Sequence, residues 1–338
     1  MSDDILKVGK LPLEVLTSLL QTNVLKDERI IVGPSVGEDA AVIDAGGPNY
    51  LIATTDPITF TTDKIGWYVV NVNANDIATR GGRPQWFLVT MLLPERETCR
   101  IDIEKIFQQM LEACDSLGIS LVGGHTEITH GLTRPILIGH MLGEVEKDRL
   151  VATKGAREGD AVILTKGIAI EGTAIIAREK ENELAGIFDA ELLSRAKDFL
   201  GSPGISVVRD ALVAGATANI HAMHDPTEGG LATALHEIGQ AADVGLVVDS
   251  ALIPVLPETR MFCNYYDLDP LGLIASGALL IAVSDSDAKG VINSLSVEGI
   301  PASVIGRVVH RSEGIKVRTA EGLIDLPIYA GDELTKIL

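Results

Sequence analysis

Short apolar runs alternate with helix-patterned segments along the whole of this 338-residue chain, and the pattern starts again near residue 150. The restart follows a turn-rich cluster at residues 154–160 and opens with a fully apolar run at 161–165. We therefore predict two domains, residues 1–152 and 153–338. Because strands and helices are mixed in both halves, the predicted fold class is α/β or α+β.

Apolar spacing also predicts where the individual elements lie. Helices are predicted at about 11–25, 65–80, 102–117, 170–180, 189–199, 205–215, 227–242 and 286–297. Strands are predicted at about 40–44, 50–55, 84–93, 119–122, 135–145, 161–165, 219–223, 244–249, 278–284 and 302–309. Gly118 suits the C-terminal cap of the third helix.

The charge balance limits the kinds of partner. The chain has 28 Lys and Arg residues against 47 Asp and Glu residues, a formal net charge of −19. A nucleic-acid binder needs a basic face, and an anionic membrane repels an acidic chain. The three cysteines are widely spaced, the N-terminus is acidic where a signal peptide is basic, and no apolar run approaches the roughly 18 residues that span a bilayer. We therefore predict a cytoplasmic protein that binds neither nucleic acid nor membrane.

Two acidic motifs in the first half stand where strands begin or end. Gly37, Glu38 and Asp39 lie in a glycine loop that enters a predicted strand, and Thr55 and Asp56 close the next strand. A carboxylate at a strand terminus can face a cleft while its backbone stays in the sheet. Each motif taken alone is also compatible with an ordinary turn acid.

Polar residues share one face of the helix predicted at 65–80. Asn73, Asp76 and Arg80 stand at positions i, i+3 and i+7 of that helix, beside apolar positions. Asn is a poor helix former, so three Asn residues within 71–75 indicate a purpose other than helix propensity. Buried polar groups need partners, and either a metal or ligand or an internal hydrogen-bond network would supply them.

Two glycine turns could approach an anion closely. Gly123 and Gly124 follow a predicted strand directly, so their main-chain N–H groups could face a phosphate. In the second half, Thr227 is a candidate N-cap whose helix exposes N–H groups that favour anions. Asp225 lies just outside that helix end and suits a metal better than a bare anion. Three histidines near this segment lack the spacing of a metal site.

The sequence lacks a Gly-x-x-x-x-Gly-Lys-Ser/Thr loop, a Gly-x-Gly-x-x-Gly loop and a Gly-x-Ser-x-Gly motif. Taken in order, its acidic and glycine motifs instead resemble the aminoimidazole ribonucleotide (AIR) synthase superfamily, from about residue 30 to 330. The resemblance implies an N-terminal α/β domain that pairs across a homodimer to form a β-barrel. It implies a C-terminal α+β domain, a mixed sheet with helices, that closes the site. It also implies ATP and Mg²⁺ as cofactors.

The resemblance further implies a role for each motif residue. Mg²⁺ on the ATP phosphates would be ligated by Asp39, Asp56, Asp76 and Asp225. Catalytic roles would fall to Asp76, Asp225 and Thr126. The implied cofactor-binding residues are Gly37, Glu38, Asp39, Thr55, Asn75, Gly123, Gly124, His125, Thr227, Gly229 and Gly230. Carboxylates bridged to phosphate by a divalent metal would explain how so acidic a chain holds ATP.

Within the superfamily, the second half resembles the HypE subfamily of hydrogenase maturation proteins, which carry a carbamoyl group on a C-terminal cysteine and dehydrate it with ATP. This chain departs from that pattern: it ends at Leu338 without a cysteine, Glu127 stands where HypE has Lys, and residues 275–277 read Ala-Ser-Gly instead of Asn-Glu-Gly. We therefore predict ATP-dependent phosphoryl transfer to a different, small-molecule acceptor. Two alternatives stay open: HypE proper, acting with a maturation partner protein, and a nucleotide-binding assembly factor without catalysis.

Overall fold

Two β-sheets organise the chain. The computed structural model describes residues 9–338, so the acidic segment at residues 1–4 lies outside the described residues. Strands up to residue 146 form the first sheet, and strands from residue 161 onward form the second. Helices accompany both sheets, which confirms the predicted α/β or α+β class.

Six strands form the first sheet: β1 (Ile30–Val32), β2 (Ala41–Ile43), β3 (Asn49–Ile58), β4 (Arg83–Pro94), β5 (Ser120–Thr129) and β6 (Ile136–Glu146). Three helices accompany it: α1 (Leu13–Leu20), α2 (Ile65–Thr79) and α3 (Arg100–Leu117). The strand order is β1-β2-β3-β6-β4-β5, antiparallel except for the β4–β5 pair. That parallel pair needs a crossover, and α3 supplies it, ending at Gly118 in the left-handed conformation predicted for its cap.

Helix α2 lies at the centre of the molecule. Every residue of α2 except Trp67 is buried. The helix packs against β3, β6 and α3 on one side and against the second domain on the other. A helix surrounded in this way has no solvent face, so its polar side chains must find partners inside the protein.

Seven strands form the second sheet: β7 (Ala161–Thr165), β8 (Ile220–His224), β9 (Gly245–Asp249), β10 (Leu280–Val283), β11 (Ala302–Val309), β12 (Ile315–Thr319) and β13 (Gly322–Asp325). Its helices are α4 (Ile170–Glu179), α5 (Glu181–Leu184), α6 (Ala190–Asp198), α7 (Val208–Thr217), α8 (Gly230–Ala242), α9 (Pro257–Tyr266) and α10 (Asp285–Val297). The order is β13-β12-β9-β11-β7-β10-β8, antiparallel except for β9 with β12.

Both faces of the second sheet are covered, and the central strand β7 shows how. Ile163 belongs to a core that also contains residues of α4, α7 and α2, so it joins the two domains. Val162 and Leu164 point the other way, into a smaller core under α8. Since both faces of the sheet are buried at this strand, the sequence of β7 is continuously apolar and does not alternate between apolar and polar residues.

The structure departs from the predicted elements mainly at their ends. Helix α1 stops at Leu20 rather than near residue 25, and α8 begins at Gly230 rather than at 227. Strand β5 runs on to Thr129, through glycine and polar residues of low strand propensity. Strands β1, β12 and β13 and helices α5 and α9 are missing from the predicted set. None of the described helices is both long and apolar enough to cross a bilayer.

Candidate functional site

Four aspartates from separate parts of the chain meet at the cleft between the two domains. The pKa of Asp76 is raised well above its ordinary range by burial and by the charges of Asp56, Asp225 and Asp39. Thr54 Oγ1 lies 2.6 Å from Asp76 Oδ2 and 2.9 Å from the main-chain oxygen of Asp39. The structure therefore brings together the four carboxylates that were predicted as metal ligands.

Asn73 fixes the end of β3 to helix α2. Its Oδ1 accepts a hydrogen bond from the Asp56 main-chain N–H at 2.9 Å, and its Nδ2 donates to the Asp56 carbonyl at 3.2 Å and to Val69 O at 2.8 Å. Gly139 on β6 leaves the room for this, because a Cβ there would lie 2.2 Å from Asn73 Nδ2. Asn73 thus uses its side-chain hydrogen bonds to hold the main chain of Asp56 in place.

A buried histidine lies between two acids at the cleft. His224 Nδ1 is 2.8 Å from Asp39 Oδ2, and His224 Nε2 is 2.7 Å from Glu237 Oε2. Burial alone would lower the pKa of His224, but Asp39 and Glu237 together raise it to about 10. The resulting imidazolium, helped by Arg80, lowers the pKa of Asp39 to about 2 against the opposing effect of burial. Lys10 Nζ, 3.5 Å from Glu237 Oε1, adds a further positive charge.

Arg80 anchors the loop that carries Glu38 and Asp39. Its guanidinium is completely buried, forms an ion pair with Glu38, donates to Thr153 Oγ1 at 2.8 Å and lies 3.4 Å from Asp39 Oδ2. The carboxylate of Glu38 also accepts from the main-chain N–H groups of Thr153 and Lys154. Glu38 therefore anchors this loop through contacts within the chain, and its predicted cofactor contact stays a prediction.

Asp225 differs from the other acids of the cleft because neither carboxylate oxygen has a hydrogen-bond partner among residues 9–338, although the residue is only 1% exposed. Burial and the charge of Asp39 raise the pKa of Asp225 to about 7. One ligand atom from each of Asp39, His224 and Asp225 lies within 4.8 Å of the others. Since Asp39 and Glu237 raise the pKa of His224 to about 10, the ring acts as a counter-ion for Asp39, and the oxygens that remain suit a hard divalent cation.

The N-terminus of α8 does not offer the predicted anion site. The Gly229 N–H that caps the helix donates to Asp332 Oδ2 at 2.7 Å, and Asp332 Oδ1 accepts from the Leu334 N–H at 2.8 Å. A carboxylate of the chain itself thus occupies the position where a phosphate was predicted. Gly229 is the N-cap residue of α8 and Thr227 precedes the helix by three residues, so the predicted cap at Thr227 is wrong. The cofactor contacts predicted for Gly229 and Thr227 stay predictions.

Two further predicted cofactor residues point away from the carboxylates. The Asn75 side chain is fully buried and joins the domains, since its Nδ2 donates to Ile205 O at 2.9 Å and its Oδ1 accepts from the Val207 N–H at 2.8 Å. Thr55 is exposed on the face of β3 opposite to Thr54. Sequence spacing identified the element that carries each residue but not the partners of its side chain, and the cofactor contacts predicted for Asn75 and Thr55 stay predictions.

The glycine motif on β5 lies at the far edge of the first sheet. Gly124 pairs with Val89, Val89 with Gly139, and Gly139 with Asp56, so the motif stands in the same cross-strand row as the aspartates. Three strand spacings separate Gly124 from Asp56 by roughly 14 Å. Gly124 adopts φ +150°, and a Cβ there would lie 2.0 Å from Val89 O, so no larger residue fits this strand pairing. Within one chain, Gly123, Gly124, His125 and Thr126 do not reach the carboxylates.

Several residues of the site were not predicted. Glu237 and Lys10 join it from segments that gave no motif, and His224 was set aside with the other histidines. The other two histidines of this segment have separate partners: His221 lies 2.9 Å from Asp160, and His236 lies 3.3 Å from Leu326 O. The adjacency of His224 to Asp225 in the sequence was the one signal available.

Comparison with known proteins gives two family matches that together span most of the chain. Residues 37–145 match the N-terminal domain of AIR synthase related proteins. Residues 157–318 match the C-terminal domain of the same proteins. The two matches leave residues 146–156 between them, which is the segment that links the two sheets.

Named relatives and solved structures agree with these matches. The chain is 27% identical to carbamoyl dehydratase HypE of Rhodobacter capsulatus over 332 residues, covering 96% of this chain and 93% of that protein. It is 30% identical to carbamoyl dehydratase HypE of Rhizobium leguminosarum bv. viciae over 282 residues, covering 81% and 77%. A crystal structure of the hydrogenase maturation protein HypE in complex with ATP superposes with a TM-score of 0.72 at 25% identity, covering 90% of this chain and 92% of that one.

Proposed function

The chain belongs to the family of AIR synthase related proteins, and on that premise we propose that it transfers the γ-phosphoryl group of ATP, with Mg²⁺, to an oxygen of a small molecule. The observation that carries the proposal is the cleft itself. Four aspartates converge there, and both oxygens of the buried Asp225 lack partners in the described part of the chain. A buried carboxylate without a partner is costly unless a cation or ligand completes it.

The donor set fits magnesium. Carboxylate oxygens of Asp39, Asp56, Asp76 and Asp225 would hold Mg²⁺, and the bound ion would neutralise charge on the ATP phosphates. The chain contributes position and charge: Asn73 orients the end of β3, and Arg80 fixes the loop before β2. Phosphoryl transfer depends on such positioning and electrostatics more than on a protein nucleophile.

The class of acceptor is proposed from the relatives. Two of them are named carbamoyl dehydratases, and a similar solved structure contains ATP. Dehydrating a carbamoyl group with ATP requires activation of an amide oxygen. We extend that chemistry to this chain as phosphorylation of an amide, acid or hydroxyl oxygen. A role in hydrogenase maturation, with a protein partner and in the cytoplasm, is part of the same proposal.

A homodimer would reconcile the two separated parts of the predicted nucleotide site. Strand β5 is an open edge on which Val122 and Ile128 are about half exposed. An exposed edge with apolar side chains invites pairing with another chain. The β5 of a second copy would close the predicted β-barrel and present Gly123 and Thr126 to the carboxylates of the first.

The test is ADP formation from Mg²⁺-ATP by the wild type and by Asp76→Asn. Asp76→Asn removes one proposed metal ligand and should lower turnover at least 100-fold while the protein stays folded by circular dichroism. Asp115→Asn, an exposed acid on α3, is the matched control and should keep the wild-type rate. Full activity in Asp76→Asn would refute the metal assignment.

The same assay distinguishes the proposed enzyme from the alternative, a nucleotide-binding assembly factor without catalysis. Occupation of the α8 N-terminus by Asp332 favours this alternative, because one predicted phosphate contact is missing. Tight binding of ATP by calorimetry, with no ADP formed over a panel of amides, acids and alcohols, would support the assembly factor. Steady ADP formation would support the enzyme.

A further inference from the structure

A second group of buried polar atoms lies beside the carboxylate cleft and plays no part in the proposed metal site. Glu171, in the first turn of α4, is 4% exposed, and within the part of the chain that the structure describes its Oε2 has no hydrogen-bond partner. The hydroxyl oxygens of Tyr68 and Ser276 are also buried, and neither has a partner among the same described residues. Buried polar atoms are nearly always paired, so three unpaired groups in one region indicate a place for a bound polar molecule.

The three groups come from different elements that meet at the domain junction. Ser276 faces the Glu171 carboxylate and favours its charged form, although Ser276 Oγ and Glu171 Oε2 do not meet the geometry of a hydrogen bond. Tyr68 extends from α2, and the charge of Glu171 contributes to raising its pKa. A carboxylate that accepts and two hydroxyls that donate or accept would recognise an uncharged group carrying both a hydrogen and a lone pair.

This region adjoins the proposed metal site. Glu228, three residues after Asp225, lies close enough for its charge to raise the pKa of Glu171, and its own pKa responds to Asp56. Asp332 also faces Glu171, while it binds the Gly229 N–H at the start of α8. The group formed by Glu171, Tyr68 and Ser276 therefore borders the same cleft as the aspartates, on the side of the second domain.

Building on the proposed phosphoryl-transfer function, we propose that Glu171 is the general base of an acceptor subsite, with Tyr68 and Ser276 as the hydroxyls that orient the acceptor. The subsite takes an uncharged nucleophile with an O–H or an amide N–H, and in the absence of another acceptor it takes water. The acceptor oxygen bonds to the γ-phosphorus as the bond from that phosphorus to the bridging oxygen of ADP breaks. The proton of the acceptor passes to Glu171 and then to solvent.

The protonation of Glu171 supports this role. Burial is the largest influence on it and raises its pKa to about 7, assisted by Asp332 and Glu228 and opposed by Ser276. Tyr68, Asp332 and Glu228 are the titratable groups that face it from α2, from the C-terminal segment and from the loop before α8. A base with a pKa near the working pH is efficient, because it is both available and basic enough to take a proton.

The experiment measures ADP formation with saturating Mg²⁺-ATP and water as the acceptor, for wild type and Glu171→Gln between pH 5.5 and 9. The wild-type kcat should rise through pH of about 7. Glu171→Gln should lower kcat by about 10²- to 10⁴-fold, abolish this rise, and leave the KM for ATP within about twofold. Glu258→Gln is the matched control, since Glu258 is also a buried first-turn glutamate but pairs with Arg195 at 2.7 Å.

The outcomes distinguish this inference from the function on which it rests. A Glu171→Gln enzyme with the wild-type kcat, or with an unchanged rise of kcat with pH, overturns the assignment of the base while the proposed function stands. Loss of binding of a non-hydrolysable ATP analogue in Glu171→Gln also overturns it, because the residue would then be structural. Absence of ADP formation by the wild type overturns the proposed function and the base together.

Discussion

Replacing Asp225 with Asn should stabilise the metal-free protein while removing its response to Mg²⁺. Asp225 is buried, and no residue from Gly9 to Leu338 gives either of its carboxylate oxygens a hydrogen-bond partner. Its pKa is raised from an ordinary 3.8 to about 7, first by burial and then by Asp39. The folded state therefore holds the proton more tightly than the unfolded state, and the metal-free protein loses stability as the pH rises from about 4 through 7.

The expected gain in the free energy of unfolding follows from the pKa shift of Asp225. A difference of 3.2 pH units between 7 and 3.8, at about 1.4 kcal/mol per unit, sets an upper bound of about 4 kcal/mol. Interaction among the neighbouring aspartates shares part of that cost, so we expect Asp225→Asn to be about 2–4 kcal/mol more stable than wild type at pH 8. Near pH 4 the difference should disappear, because the wild-type carboxyl is then neutral as well.

The assay is urea unfolding at pH 8 and pH 4 in EDTA, repeated at pH 8 with Mg²⁺. A ligand at 100 times its Kd adds about 2.7 kcal/mol to the folded state, and only the wild type should gain it. Asp160→Asn is the matched control, because Asp160 is equally buried but accepts from the Arg157 N–H at 2.8 Å and lies 2.9 Å from His221 Nδ1. That control should be destabilised. An Asp225→Asn protein less stable than wild type at pH 8 without metal would refute the reasoning.

Three further substitutions test the contacts around the cleft. Arg80→Met should lower the free energy of unfolding in urea by about 3–5 kcal/mol, because the buried Glu38 carboxylate loses its ion-pair partner. The double variant with Glu38→Met should recover much of this loss. An Arg80→Met protein as stable as wild type would contradict the ion pair. Asn75→Ala removes two hydrogen bonds between the domains and should cost about 2–3 kcal/mol, whereas Asn219→Ala on the surface should cost almost nothing. His224→Gln should be less stable than wild type at pH 6, and this difference in stability should disappear as the pH rises through about 10. The reason is that a raised folded-state pKa stabilises the protein only while the ring is protonated. A difference in stability that is constant with pH would refute the imidazolium.

Local pattern was enough to predict most of the architecture. Helices α2 and α3 lie within two residues of their predicted bounds, because apolar spacing over 15 to 18 residues is a strong signal. Strand β5 was harder, since its Gly-Gly-His-Thr stretch gains its extended form from pairing with β4 rather than from its own propensity. Elements near the C-terminus, such as β12 and β13, are short and weakly patterned, and they depend on the strands beside them.

The sequence by itself determined the chemistry available to this protein: an acidic chain, scattered aspartates, no phosphate loop, and motifs in the order of the AIR synthase related family. Only the tertiary structure decided which acidic side chains have a partner within the protein. Glu38 is paired with Arg80, 42 residues away, whereas among the described residues both carboxylate oxygens of Asp225 and Oε2 of Glu171 have no hydrogen-bond partner. Spacing along a helix or strand reports which residues share a face, but the charge opposite that face comes from distant segments, and only folding brings it there.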